Sequence, residues 1–311
     1  MPRFWMHEHM HKGRRYRIAL QKRGYKLTEN INKADFVFLD HDVNATGAGR
    51  RQQVYIAYER NIPLFLYPHS SRPNIMYDIW RPWEFTKASF TIARGHKQVL
   101  KKIGYKTPVE ITGWTYTPIK PFSGRLPEHR KIRVLFAPIH PLGSGYLPQI
   151  DADLNFRVFK TLLKIPDIEI TVRYLGRLEE NKLFRSGKVK WIHGLPDGST
   201  HDMENADVII GSYTYAYMAV ALGKPLVMMG EWVRPHAGNH LWTGWGEQWE
   251  KYKDYLKYPY NIEETLENPQ KTMENIIAAI QPCKNVDRWK KRFIGKPFDP
   301  NYFVDRVEKY L

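Results

Sequence analysis

Cysteine is almost absent from this sequence, because Cys283 is the single one among 311 residues. One thiol excludes an intramolecular disulfide and fits a reducing, intracellular setting. Long apolar runs are also missing, which disfavours a membrane-spanning helix. The first residues, Met1 to His9, lack the basic-then-apolar pattern of a secretory signal. These absences predict a cytoplasmic protein, and a hydrophobic content of 42% predicts a folded one.

Acidic residues are scarce in the first part of the chain. Residues 1–130 contain 23 Lys and Arg against 10 Asp and Glu, a net charge of +13, whereas residues 131–311 contain 25 against 22, a net charge of +3. A concentrated positive field attracts nucleic acid, acidic lipid headgroups or phosphate-rich polymers. A basic face that only keeps the protein soluble is the alternative. The asymmetry favours an anionic partner for the N-terminal part.

Strand and helix patterns alternate along the chain, which predicts an α/β fold with parallel sheets. Residues 121–131 are rich in proline, glycine and charge and are typical of a linker. We expect an N-terminal domain over residues 1–120 and a C-terminal domain over residues 132–285. Residues 286–311 form a basic tail, and this tail could pack against the N-terminal domain. Two such domains form a cleft between strand ends.

The segment 205–231 has the most specific pattern. It predicts a buried strand at Val208–Ile210, a polar turn at Gly211–Thr214, a helix that ends near Gly223, and a second buried strand at Leu226–Met229. The helix begins with Ser212, Tyr213 and Thr214, whose hydroxyls and backbone N–H groups lie at the positive end of the helix dipole. This turn therefore suits a phosphate, and an ordinary helix cap is the alternative.

Several patterns occur in the order found in glycosyltransferases of the GT-B architecture. Residues 89–96 and 103–113 resemble the end of that family's acceptor domain, residues 133–145 resemble the start of its donor domain, and Ala206–Pro225 resembles its donor-binding strand, turn and helix. The resemblance implies two Rossmann-like domains facing across a cleft, with a nucleotide-sugar co-substrate in the C-terminal domain and the acceptor in the N-terminal one. Uridine diphosphate is the commonest donor nucleotide of the family, and no metal site is visible in the sequence.

The expected donor site combines strand-end residues of the C-terminal domain. Arg173 ends a predicted strand and can bind a phosphate bidentately, although a surface strand-end arginine is the alternative. A glycine-containing loop after another strand permits close backbone approach and is either a ligand loop or an ordinary connection. By resemblance, one further loop contacts the donor base through its backbone. The predicted donor-binding residues are His140, Gly143, Ser144, Gly145, Arg173, Gly194, Leu195, Ser212, Tyr213 and Thr214.

Candidates for the catalytic base follow buried strands of the N-terminal domain. Asp40 and Asp42 come directly after one strand, and a carboxylate in a partly desolvated cleft can accept the proton of an acceptor hydroxyl. Ordinary turn chemistry at a strand end is the alternative. His69 follows the next strand and is the second candidate base. The predicted acceptor-binding residues are Arg14, Arg15, Arg17, Arg50, Arg51 and Arg72.

The acceptor remains open between two polyanions. Size, soluble character and basicity resemble the phage enzymes that glycosylate hydroxymethylated bases, which predicts duplex DNA with a flipped base as the partner. A glycosyl- or glycerophosphotransferase acting on a membrane-associated or cell-wall polymer is the alternative. Many family members also have a ribose-binding glutamate on the donor helix, and Tyr213–Leu222 contains no acid. Asp202 or Glu204 could replace it. The departure leaves sugar-nucleotide epimerases and a non-catalytic nucleic-acid-binding protein as further hypotheses.

Overall fold

The chain folds into two compact units, each built on its own parallel sheet. The computed structural model describes residues 1–7, 13–40, 48–68, 86–102, 105–138, 149–174, 189–193, 200–229 and 257–311. The first unit contains Met1–Tyr116 and Lys291–Leu311, and the second contains Thr117–Trp232 and Tyr255–Lys290. The α/β fold with two parallel-sheet domains, predicted from the sequence, is confirmed.

The sheet of the first unit has six strands in the order β2-β1-β3-β4-β5-β6. The strands are β1 (Arg3–Met6), β2 (Lys26–Leu27), β3 (Phe36–Asp40), β4 (Leu64–Tyr67), β5 (Thr86–Thr91) and β6 (Val109–Ile111). The helices between them are α1 (Arg14–Lys22), α2 (Ala48–Glu59) and α3 (Arg94–Lys102). The strands β1 and β3 are adjacent in the sheet, although α1 and β2 lie between them in sequence. The sheet therefore extends from β1 to β2 on one side and from β3 to β6 on the other.

Alternation along these strands sends different residues to the two faces of the sheet. Phe4, Phe36 and Phe38 pack on one face with residues of α1, whereas Val37 and Leu39 pack on the other with residues of α2. The helices α1 and α2 therefore cover opposite faces, as in doubly wound folds.

The sheet of the second unit has five strands in the order β11-β10-β7-β8-β9. The strands are β7 (Ile132–Ala137), β8 (Ile168–Tyr174), β9 (Val189–His193), β10 (Val208–Gly211) and β11 (Leu226–Met228). The helices of this unit are α4 (Gln149–Leu163), α5 (Thr200–Asn205), α6 (Tyr213–Ala221) and α7 (Pro269–Ile280). The next helix, α8 (Lys284–Phe293), begins in the second unit and ends in the first, and the last helix, α9 (Pro300–Tyr310), belongs to the first unit. Residues of α4 and α7 share one apolar cluster with alternate residues of the strands.

One helix is shorter than its sequence pattern indicates. The apolar spacing predicts a continuous helix over residues 263–280, but the structure has a 3-10 helix at Ile262–Thr265 and then α7. The side chain of Asn268 accepts a hydrogen bond from the backbone N–H of Lys271, and Pro269 occupies the first turn. An Asn cap followed by proline begins a new helix, so the prediction of one helix was wrong.

The end of α6 is fastened to the chain that enters the second unit. Gly223 has φ +74°, and a Cβ at this position would lie 1.7 Å from the carbonyl oxygen of Pro121. Backbone N–H groups of Lys120 and Ser123 donate to the carbonyl oxygens of Ala221 and Gly223, at 2.8 Å each. Only glycine combines the left-handed conformation with this close approach.

Candidate functional site

The candidate site of the second unit lies where its strand order reverses. The strands β7 and β10 are neighbours, and their last residues, Ala137 and Gly211, are partners in register. Helix α4 follows β7 and helix α6 follows β10 on opposite faces of the sheet, so a crevice opens between the carboxyl ends of the two strands. Ligands of open parallel sheets bind at such switch points.

The first turn of α6 faces this crevice with an unused capping hydroxyl. Ser212 precedes the helix in an extended conformation (φ −130°, ψ 172°) and is buried. Within the described part of the chain, its side chain makes no capping hydrogen bond. Ser212 is therefore not an ordinary serine cap in this structure. The hydroxyl of Ser212 and the first backbone N–H groups of α6 thus lie at the positive end of the helix dipole, and among the described residues that hydroxyl does not cap the helix.

Arg173 lies beside this turn. It follows Val172, which points to the face covered by α4, so Arg173 points to the face of α5 and α6. Only 3% of its surface is exposed. Its guanidinium forms an ion pair with the carboxylate of Asp202 in α5 and lies 5.6 Å from the ring centre of Tyr215 in the first turn of α6.

The structure therefore brings together two parts of the predicted donor set that are about 40 positions apart in sequence, Arg173 and the Ser212–Thr214 turn. Asp202 and Tyr215 are the residues that make this connection. Burial raises the pKa of the Tyr215 hydroxyl above its ordinary value, and the nearby charge of Arg173 opposes that rise only in part. Tyr215 is thus a neutral hydrogen-bonding group at any physiological pH.

Asp202 and Glu204 have different surroundings, although both are candidate ribose contacts. Asp202 is bound to Arg173. Glu204 is exposed and accepts a hydrogen bond of 2.8 Å from the ammonium group of Lys120. The hydrogen bond from Lys120 lowers the pKa of Glu204, so this carboxylate is ionised near neutral pH. Of the two, Asp202 is the one that lies at the candidate site.

Tyr215 and the Asp202–Arg173 pair carried no strong signal in the sequence. Tyr215 looks like one more apolar position of a buried helix, and Asp202 belongs to α5, a helix of six residues that the sequence pattern did not predict. A negative charge two residues into a short helix is an ordinary feature of helix starts. Only the fold places it against a buried arginine.

Many of the predicted site residues lie outside the residues that the structure describes. They are Asp42, His69, Arg72, His140, Gly143, Ser144, Gly145, Gly194 and Leu195. For Asp40, Arg50, Arg51 and Tyr213 the structure describes the backbone but not the side chain. The roles of all these residues stay predictions.

The sheet of the first unit has its own switch point, between β1 and β3. Asp40 ends β3 and is in register with Tyr67 of β4. The backbone N–H of His7, just after β1, donates to the carbonyl oxygen of Phe38 at 3.1 Å, and the carbonyl oxygen of His7 accepts from the hydroxyl of Tyr67 at 2.5 Å. Asp40 and His7 therefore end neighbouring strands at one crevice.

Arginines begin the two helices on either side of that crevice. Arg14 and Arg15 are exposed in the first turn of α1, and Arg50 and Arg51 follow two residues after the start of α2. Neither first turn contains an acid, although acids are the residues that stabilise helix N-termini. Because α1 and α2 cover opposite faces, their first turns lie on the two sides of the crevice, and on the α1 side the exposed Arg14 and Arg15 supply positive charge.

Arg17 is half-buried one turn further into α1. The start of that helix is fixed by close packing, since a Cβ on Gly13 would lie 2.6 Å from the Cε of Met6 and 3.2 Å from the hydroxyl of Tyr67. A side chain at position 13 would have to displace the end of the Met6 side chain and would crowd the ring of Tyr67. Glycine thus permits the close packing of the arginine-bearing turn at the end of β1.

The described residues contain neither a metal-binding cluster nor a membrane-spanning helix. No group of three or more His, Cys, Asp and Glu side chains there has an arrangement that could hold a metal ion. None of the described helices is both long enough and apolar enough to cross a membrane.

No protein-family model matches the sequence, and no curated protein matches it. Solved structures match its fold at very low sequence identity. The structure of MnaA from S. aureus with UDP has a TM-score of 0.62 and 10% identity and covers 100% of this chain and 97% of its own. The spinosyn rhamnosyltransferase SpnG, solved with spinosyn aglycone, has a TM-score of 0.56 and 10% identity, with coverages of 99% and 100%.

A third match is the UDP-GlcNAc 2-epimerase from Neisseria meningitidis bound to UDP-GlcNAc, with a TM-score of 0.50, 11% identity and 99% coverage of both chains. Since the matches extend over nearly the whole chain, its fold is that of proteins built from two Rossmann-like parts. At these identities the comparison establishes the fold alone.

Proposed function

We propose that this protein is a glycosyltransferase that moves a sugar from a nucleoside diphosphate, UDP in the first instance, to an anionic acceptor. The observation that carries the proposal is the convergence of Arg173 with the uncapped first turn of α6 at the switch point of the second sheet. Support for the nucleotide comes from fold neighbours that were solved with UDP or UDP-GlcNAc.

In this proposal the second unit stabilises the leaving diphosphate. Cleavage of the bond between the sugar and the diphosphate leaves the bonding electron pair, and so one additional negative charge, on the β-phosphate, and hydrogen-bond donors fixed in advance stabilise this charge better than water does. The backbone N–H groups of α6 and the hydroxyl of Ser212 supply such donors. Arg173 supplies a positive charge behind them, held in place by Asp202 and Tyr215.

The first unit holds the acceptor in this proposal. Asp40, at the end of β3, or Asp42 accepts the proton of the attacking hydroxyl, with His69 as the second candidate base. Arg14, Arg15 and the arginines of α2 attract an anionic group beside that hydroxyl. Two acceptors fit this charge: a hydroxymethylated base in DNA, and a phosphate-containing polymer of a membrane or cell wall.

Gly211 offers the sharpest test of the donor site. A Cβ at Gly211 would be 3.5 Å from the Cβ of Ala137 and 3.5 Å from the Cδ1 of Tyr215, which are ordinary contacts. The Gly211→Ala variant should therefore fold with unchanged stability. A diphosphate that approaches the backbone at the end of β10 would meet the new methyl group, so we expect weaker UDP binding by calorimetry.

Wild-type affinity in a well-folded Gly211→Ala variant would contradict the placement of the diphosphate. The acceptor is tested separately with radiolabelled UDP-sugars offered to hydroxymethylated duplex DNA and to a poly(glycerol phosphate) polymer. Transfer to one of them identifies the acceptor class. UDP binding without transfer to either would contradict the anionic acceptor but not the donor site.

A nucleotide-sugar epimerase is the second candidate function. It is favoured by the epimerase among the fold neighbours and by the lack of an acid in Tyr213–Leu222, where glycosyltransferases of this architecture often have a ribose-binding glutamate. An epimerase needs no acceptor. Conversion of UDP-GlcNAc to its epimer in the absence of any acceptor, followed by proton NMR, would establish this function in place of sugar transfer.

A further inference from the structure

Helix α3 and the last turn of α8 form one surface in the first unit. A Cβ on Gly95 would lie 2.6 Å from the ring of Phe293 and 2.7 Å from the carbonyl oxygen of Arg292. The rings of His96 and Phe293 are 5.8 Å apart. Two segments separated by almost 200 positions in sequence are therefore packed directly against each other.

The outward side of both segments is basic. Arg94, Lys97 and Lys101 recur at the spacing that places residues on one side of a helix, and all three are exposed. Lys291 and Arg292 are exposed at the end of α8. We call these five residues the α3–α8 basic surface. The apolar residues of α3 and the Phe293 ring are buried beneath it.

Most of these cations have no ion-pair partner in the part of the chain that the structure describes. Among the described residues, no ion pair involves Arg94, Lys97, Lys101 or Lys291. Helix α3 contains no acid, and Asp287 of α8 forms no ion pair with Lys291 in that part of the structure. Elsewhere in the first unit, by contrast, Arg23 is paired with Asp305 and Glu308.

We propose that the α3–α8 basic surface binds the surface of an anionic lipid bilayer. Clusters of four to eight exposed Lys and Arg bind acidic lipid headgroups, and each contributes about fivefold to the affinity. Single-stranded nucleic acid is bound with exposed aromatic side chains that stack on the bases, whereas the rings at this helix contact, His96 and Phe293, are buried. The cations lie on the outer sides of two helices, which suits a broad surface. This inference does not depend on the proposed sugar transfer.

Vesicle sedimentation tests the inference with the full chain. The wild-type protein should sediment with vesicles of phosphatidylcholine and phosphatidylglycerol, should not sediment with vesicles of phosphatidylcholine alone, and should be released by salt. In the triple variant Lys97→Gln, Lys101→Gln and Lys291→Gln, affinity for the anionic vesicles should fall by about a hundredfold. Glutamine preserves helix propensity at these exposed positions.

A matched control removes the same charge elsewhere. Lys33, Lys164 and Lys271 are also exposed, and their replacement by glutamine should leave vesicle binding within about twofold of wild type, a small change compared with the fivefold contribution per cation. Equal losses in both triple variants would overturn the inference, because net charge alone would then explain binding. Loss of duplex DNA binding without loss of vesicle binding in the first variant would also overturn it. UDP binding, measured in parallel, should be unchanged in both variants.

Discussion

Removal of one charge from the ion pair between Arg173 and Asp202 should destabilise the second unit by an amount that depends on how deeply the pair is buried. Arg173 is 3% exposed and the side chain of Asp202 is 18% exposed. Removing one partner of a buried pair leaves a charge without compensation, which costs about 3–5 kcal/mol. In Asp202→Asn the amide oxygen still accepts a hydrogen bond, so we expect a loss near the lower value, about 3 kcal/mol.

The melting temperature should fall accordingly. The second unit has about 150 residues. Domains of this size lose about 2–4 °C per kcal/mol, so the transition that reports this unit should move down by about 6–12 °C. Calorimetry with the wild-type protein as reference measures the shift. The double variant Arg173→Met, Asp202→Leu removes both charges and should recover most of the stability.

The same variants connect stability to function. If the diphosphate lies beside Arg173, it supplies the negative charge that Asp202→Asn lacks, so saturating UDP should raise the melting temperature of this variant more than that of the wild type. The double variant should show a smaller rise than either. Equal UDP-induced shifts in all three proteins would refute the role of Arg173 at the phosphate.

Two further predictions concern parts of the second unit that support the site. Gly223→Ala puts alanine into a left-handed backbone conformation and places its methyl group 1.7 Å from a backbone oxygen. Urea unfolding should therefore show a larger loss of unfolding free energy than for Gly24→Ala, where φ is +102° but the new Cβ would meet no other described residue within 4 Å beyond its chain neighbours. Burial opposes ionisation of Asp207, but hydrogen bonds from Arg130 and Arg133 outweigh it and hold the pKa of this carboxyl well below its ordinary value. A carboxyl whose pKa is depressed in the folded state stabilises the fold at pH values above its unfolded pKa of about 4, and this stabilisation is lost as the pH falls through the lower, folded pKa. In Asp207→Asn the free energy of unfolding should therefore fall less steeply on acidification than in the wild type. A variant with the wild-type acid limb would contradict this.

Local patterns predicted the central part of the second unit closely. The expected strand Val208–Ile210 is β10 with one more residue, and the helix expected to end near Gly223 is α6, which ends at Ala221. Both rest on signals of short range: a run of β-branched residues, a glycine at the helix end, and apolar residues on all sides of a buried helix. Such signals do not depend on the rest of the fold.

Contacts between distant segments could not be predicted in the same way. The two residues of β2 and the six of α5 are too short to show a period. Asp202 is identified as the partner of Arg173 only once β8 and α5 are packed, and the pairing of α3 with α8 joins segments whose sequences carry no mutual signal. The sequence indicated Arg173 and Ser212 as phosphate candidates separately, and the strand order brought them together.

Binding of UDP to the wild-type protein tests the central claim most directly. Titration calorimetry should show one UDP site per chain. The affinity of this site should fall in Gly211→Ala, which should keep its fold because the new methyl group makes only ordinary contacts. If neither UDP nor any other nucleoside diphosphate bound the folded wild-type protein at millimolar concentration, this result would contradict the assignment of the β10–α6 turn as a diphosphate site.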